Sequence, residues 1–239
     1  MAGVITVLVI AIVFGGTVLV FSGISDRRSR GAAEAAVGVR PGWQATSGAG
    51  LGKRYSRASP FSWSNRRFGT LLHGPLANGA SAETFHLIID GGGYRESGQS
   101  FHTVATVVFP RPLPTASLHA TTDPRDAQPP QPGQDAGFAW TEGTHGPGWA
   151  GMRGFATDPQ AAEALFTPDL LARTRALRAD WRMDGYAAIA VVKGRLPAEA
   201  MLALVDNLAY FGSLLPEQVW QAAATQSDPW PGPTTARPA

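Results

Sequence analysis

Three groups of residues in this chain have types and spacing that could do chemistry: five histidines, a glycine-rich run ending in lysine, and a basic stretch threaded with aromatics. The histidines are His73, His86, His102, His119 and His145. His73 and His86 flank an Asn78-Gly79 hairpin signal, which would let them face each other, with His102 near by. Imidazoles gathered in that way can hold a transition metal. No H-E-x-x-H pair accompanies them, so separate, partly exposed strand histidines are the simpler reading and no metal is expected. Residues 46–54 read TSGAGLGKR. A phosphate loop needs G-x-x-x-x-G-K-[ST], in which glycines turn backbone amides toward phosphates and a hydroxyl reaches Mg²⁺. Here Ser47 stands where the first glycine should be, and Arg54 stands where the hydroxyl should be. The run therefore reads as a flexible turn. Gly91-Gly92-Gly93 precedes a strand rather than a helix N-terminus, so it is no phosphate cradle either. There is no G-x-S-x-G elbow and no cysteine. The chain is expected to be non-enzymatic and to need no cofactor.

The basic stretch runs from Lys53 to Phe68: Lys53, Arg54, Tyr55, Arg57, Phe61, Trp63, Arg66, Arg67, Phe68. Basic grooves with stacking aromatics bind single-stranded nucleic acid. Arginines with aromatics also line membrane interfaces. Core aromatics beside surface arginines are the plain alternative to both. What precedes the stretch favours the membrane reading over nucleic acid, and no nucleic-acid partner is expected.

Residues 3–24 read GVITVLVIAIVFGGTVLVFSGI, an uncharged apolar run. As a helix it would be roughly 30 Å long, about the hydrocarbon thickness of a bilayer. A cleaved signal peptide would have a positively charged start, a shorter apolar core and a small-x-small cleavage site, and this run has none of the three. A retained single-pass anchor is expected. The flank after it carries Arg27, Arg28, Arg30 and Arg40, whereas no Lys or Arg precedes it. The positive-inside rule then puts the rest of the chain in the cytoplasm, at the inner face of the plasma membrane; the opposite topology stays open.

Charge is distributed in the same sense. The formal net charge is +2, yet residues 25–67 hold nine Lys/Arg against two acids, a net of +7, and residues 68–239 a net of −5. Anionic lipid head groups attract juxtamembrane basic residues by about 1 kcal/mol each. Arg27, Arg28, Arg30, Lys53, Arg54, Arg57, Arg66 and Arg67 are the candidate membrane-surface contacts. The competing reading is a solvated linker whose arginines only set topology.

The elements that must position these residues follow from periodicity and punctuation. Residues 25–41 read as a basic linker and 42–225 as one α+β domain, with an irregular insertion at 122–148 and a disordered Pro-rich tail at 226–239. Arg67–Leu76 and Glu83–Asp90 read as a hairpin about Asn78-Gly79, and Phe101–Phe109 as a strand stopped by Pro110. Ser117–Thr121 reads as a further strand. Asp158-Pro159 and Thr167-Pro168 are N-cap and N1 pairs that open two helices. Trp181–Lys193 reads as one strand or as a hairpin about Asp184-Gly185. Pro197 opens the strongest helix, with Met201, Leu204, Val205, Leu208, Phe211 and Leu215 on one stripe. Strands first and helices later predict an antiparallel sheet with helices packed on one face, behind an N-terminal transmembrane helix.

The N-terminal anchor, GWQATSGAG, TFHLIIDGGG, TVATVVFPRPLP, LFTPDLLARTRAL and LLPEQVW together resemble single-pass membrane proteins of high-GC Gram-positive bacteria. That group has no established activity, so the resemblance implies a layout and no site residues. The expected function is a membrane-anchored interaction or accessory domain. Its partners would be the lipid bilayer, anionic head groups and a membrane or envelope protein. The alternative is an extracytoplasmic envelope protein or an accessory subunit of a membrane complex.

Overall fold

The structure, a computed structural model, describes residues 31–54, 66–90, 99–120, 138–141 and 145–225. The expected anchor, residues 25–30 of the expected linker, the expected tail, and Arg27, Arg28, Arg30 and Arg57 lie outside them. Among the described residues no single helix is long and apolar enough to cross a membrane.

One antiparallel sheet of seven strands organises the chain. The strands are β1 (Gln44–Ser47), β2 (Arg66–Pro75), β3 (Ser81–Asp90), β4 (Gln99–His119), β5 (Phe138–Thr141), β6 (Arg153–Ala156) and β7 (Ala179–Lys193). β2 and β3 form the expected hairpin, closed by Leu76 N–H donating to the Ala80 carbonyl at 2.8 Å, with Asn78 Oδ1 accepting from Ala80 N. β4 is the spine. Its first half pairs β3 from Gln99 to Val108, its second half pairs β6 from Ala116 to His119, and β7 runs along the other edge of both.

One expectation about these strands is corrected and one alternative is decided. The chain does not leave the sheet at Pro110. The β4–β7 register breaks between Val108 and Leu113, and the two N–H-lacking residues Pro110 and Pro112 sit in that break, where no ladder bond is needed. The Asp184-Gly185 reading resolves as a single strand: β7 stays paired with β4 on both sides of Gly185. The region read as an irregular insertion also holds order. Phe138–Thr141 pairs β6, and a 3-10 turn at Pro147–Trp149 buries Trp149.

Alternation along the strands makes two apolar faces. Leu72, Ala82, Ala105, Val107, Ala188, Ala190 and Val192 join the larger core, which the helices cover. Residues 31–38 are helical (α1) and bury Ala33, Ala36 and Val37 there, so the domain begins within the stretch read as linker. An Ala-rich segment suits this, because small side chains let a helix lie close on its neighbours. After the single turn α2 (Leu51–Arg54) come α3 (Pro159–Leu165), α4 (Pro168–Leu177), α5 (Ala198–Leu214) and α6 (Glu217–Thr225).

The expected caps form. Asp158 Oδ1 accepts from Gln160 N at 2.8 Å, and Thr167 Oγ1 accepts from Leu170 N at 3.3 Å. α5 buries Met201, Leu204, Val205, Leu208 and Phe211. Each such side chain contributes about 1.5–3 kcal/mol on full burial. Aromatics stitch the helices to the second half of the sheet. Trp149 meets Phe166 edge-on with centroids 5.2 Å apart, and Trp181 lies 4.8 Å from Phe211. The Trp181 indole N–H donates to Thr174 Oγ1 at 3.2 Å.

The opposite face collects Leu71, Phe85, Leu87, Ile89, Val104 and Ile189, with Leu51 of α2 packed against them. The architecture is therefore α+β: one antiparallel sheet with its longer helices sharing one core.

Candidate functional site

The glycine-rich run that resembled a phosphate loop is an ordered turn. Ser47 caps a 3-10 turn at Gly48–Gly50, which runs directly into α2. A Cβ on Gly48 would stand 2.3 Å from the Gly69 carbonyl, so glycine is required there by the close approach of β2 rather than by a ligand.

The histidines disperse. The hairpin register pairs His73 with Glu83, while His86 lies beside Gly69 and Ile88 on the other face of β3. His73 and His86 therefore do not face each other. The register is fixed by the three-residue turn Ala77-Asn78-Gly79, which sets Pro75 opposite Ser81. Among the described residues no three His, Asp or Glu side chains gather as a metal set would. A recess lined by Thr174, Trp181, Asn207, Leu208 and Phe211 offers about 10 Å³, room for about one water.

Of the eight candidate membrane-surface residues, Lys53 and Arg54 fall on α2 and Arg66 and Arg67 open β2. The structure brings these together at one end of the sheet: an Arg66 Nη donates to the Gly52 carbonyl at 3.2 Å. Arg66 also lies over Phe68, 5.8 Å from its centroid, and Phe68 itself packs on Phe85 at 5.6 Å. One aromatic of the basic stretch is thus a core residue. Arg67 is exposed and pairs with Asp90 at 3.1 Å.

Two further cations reach the same end, and sequence reasoning missed them. Lys193 ends β7 opposite His102, which lies opposite Leu87, and Leu87 lies opposite Phe68. The next residue, Gly194, adopts φ 108, a conformation natural to glycine. Its N–H donates to the Phe101 carbonyl at 2.6 Å, and its carbonyl accepts from Thr103 Oγ1 at 2.9 Å. Thr103 Oγ1 also accepts from Leu196 N at 3.0 Å. The loop so fixed holds the Arg195 guanidinium 4.3 Å from the Phe101 centroid. His86 Nε2 hydrogen-bonds the Leu196 carbonyl at 3.0 Å.

Both neighbouring imidazoles sense this environment. Burial pushes His86 below its ordinary value, the Leu196 carbonyl opposes that, and Arg195 adds to it. Burial also lowers His102, with Lys193 adding repulsion. The signal available in the sequence was the pair Lys193 and Arg195 flanking a glycine. Their meeting with Arg66 and Arg67 depends on the four-strand register, which local pattern does not encode.

No protein-family model matches the chain, and no curated protein matches it. Among solved structures the chain is similar to a crystal structure of the mycobacterial trehalose monomycolate transport factor A, TtfA, with a TM-score of 0.51 and 13% identity. The superposition covers 80% of this chain and 96% of that one, so what the two share is the fold.

Proposed function

We propose that the chain is a membrane-anchored, non-enzymatic accessory domain that works by binding a protein partner in a membrane or envelope complex, with its folded part facing the cytoplasm. The observation that carries this reading is the extent of the fold likeness. It spans 96% of the solved chain of a protein described as a transport factor, rather than one shared motif. The apolar run at 3–24 and the basic flank after it support attachment and orientation.

The test is purification of the full chain from membranes in mild detergent. A membrane or envelope protein that stays with it in a fixed ratio, and is lost when the folded domain is deleted, is the expected result. A full chain that purifies alone from membranes and turns over a substrate would sink the reading. Placement outside the cytoplasm is the second outcome that a topology measurement can return.

A further inference from the structure

Resting on the membrane-anchored reading above, we infer that the sheet end carrying Arg66, Arg67, Lys193 and Arg195 is a docking surface for anionic lipid head groups. The argument starts from charge. Those four cations stand with Asp90 and Glu199 on the adjoining β3 and α5, a net of +2 over these six residues. Arg67 is held by Asp90 at 3.1 Å. Among the described residues, Arg66, Lys193 and Arg195 have no carboxylate at ion-pair distance; Arg66 and Arg195 rest instead on a carbonyl and on aromatic rings. Lys53 and Arg54 on α2 are carried to the same end by the Arg66–Gly52 bond.

The backbone adds to the field. α5 starts here at Ala198, and its N-cap Pro197 makes no side-chain capping bond. A helix N-terminus carries about half a positive charge. The two strand histidines lie within the same field: burial first, and a nearby cation after it, push each toward the neutral form. An approaching anion would offset the cations' share of that push.

Shape separates lipid from other polyanions. The cations ring the end of a sheet instead of lining a groove: Arg66 and Lys193 alternate to one face, Arg67 to the other. Of the described aromatics at this end, Phe68 packs on the second core and Phe101 is covered by Arg195, so neither ring offers a free stacking platform. A rim of separate cations suits a broad anionic plane such as a bilayer leaflet. An anchor ahead of residue 31 would keep such a plane within reach.

The chain has no cysteine, so a single introduced thiol reports one place. The experiment uses the full chain in vesicles of phosphatidylcholine with or without phosphatidylserine. A fluorophore sits at Q99C on this end, or at A77C in the β2–β3 turn at the far end, and a nitroxide on the lipid head group quenches it. The expected result is strong quenching of the Gln99 probe and little of the Ala77 probe, only with anionic lipid and weakening with salt. K193Q/R195Q should reduce the docked population on the order of 10-fold or more. K193R/R195K, which keeps both charges, should retain it.

Equal quenching at both probes, or no loss in K193Q/R195Q, overturns the inference while leaving the anchored reading in place. Failure of the full chain to float with either vesicle overturns both. Binding of single-stranded RNA by the detergent-solubilised chain, lost in K193Q/R195Q and without lipid-dependent quenching, replaces lipid with nucleic acid.

Discussion

The two ends of the sheet use arginine in opposite ways. At the far end each arginine of the packing contacts meets a carboxylate. Arg40 forks onto Asp206 of α5 at 2.6 and 2.9 Å, and Arg111 forks onto Glu217 of α6 at 2.7 and 2.9 Å. Each guanidinium also covers a tryptophan, Trp43 for Arg40 and Trp220 for Arg111. Hydrogen bonding to Arg111 holds the Glu217 carboxyl below its usual range. The first pair ties the turn after α1 to α5, and the second closes α6 onto β4. At the near end Arg66 meets a carbonyl and a ring, Arg195 meets a ring, and Lys193 meets no carboxylate among the described residues. Arginine serves packing where its charge is matched inside the fold, and stands at the sheet's edge on rings and carbonyls where it is not.

The comparison breaks most visibly at the far end. Trp43 is 8% exposed, its indole N–H donates to the Pro75 carbonyl at 2.9 Å, and it fills the space beside Gly74. Trp43→Ala should lower stability by about 3–5 kcal/mol, since it opens a cavity and orphans a carbonyl. Urea unfolding of the full chain measures this. A loss below 1 kcal/mol would mean that the α1–β2 corner is not part of the cooperative core.

A smaller effect follows from the near-end histidines. The folded state holds His86 and His102 below the ordinary value of 6.5. As pH falls through 6.5 the unfolded chain takes up protons first, so stability is present above that value and declines below it. His86→Gln with His102→Gln should flatten the decline between roughly pH 6.5 and 5. An unchanged slope in the double variant would assign the decline to other groups, His119 first, because burial lowers it as well.

What the sequence disclosed was local. Asp158-Pro159, Thr167-Pro168 and Asn78-Gly79 each carry their own geometry within four residues, and α5 repeats its apolar stripe over its whole length. What it hid was set by distant pairing. Proline between Phe109 and Leu113 looks like a stop until a register break in the β4–β7 ladder makes its missing N–H harmless. Residues 31–38 look like linker until a core is present to receive Ala33, Ala36 and Val37. The near-end cations divide between a stretch of net +7 and one of net −5, so a running charge count assigns Lys193 and Arg195 to the acidic part of the chain.

Two surface changes have the smallest expected effects and sharpen the contrast. Asp206→Ala removes the Arg40 partner, and because that pair is partly exposed it should cost about 0–1 kcal/mol. K193Q/R195Q should leave stability within about 0.5 kcal/mol of the parent while altering vesicle docking. Thermal unfolding of both variants beside the parent checks the pair. A larger stability loss in K193Q/R195Q than in Asp206→Ala would make the near-end cations structural and erase the difference between the two ends.

The central claim is that this fold is held at the cytoplasmic face of a membrane by the apolar run ahead of it. Paired reporters fused after Ala239, one active only in the cytoplasm and one only after export, test that most directly. The account predicts activity of the cytoplasmic reporter alone, with the fusion protein remaining in the membrane fraction after high-salt washing. Activity of the exported reporter alone, or release of the fusion into the soluble fraction, would contradict it.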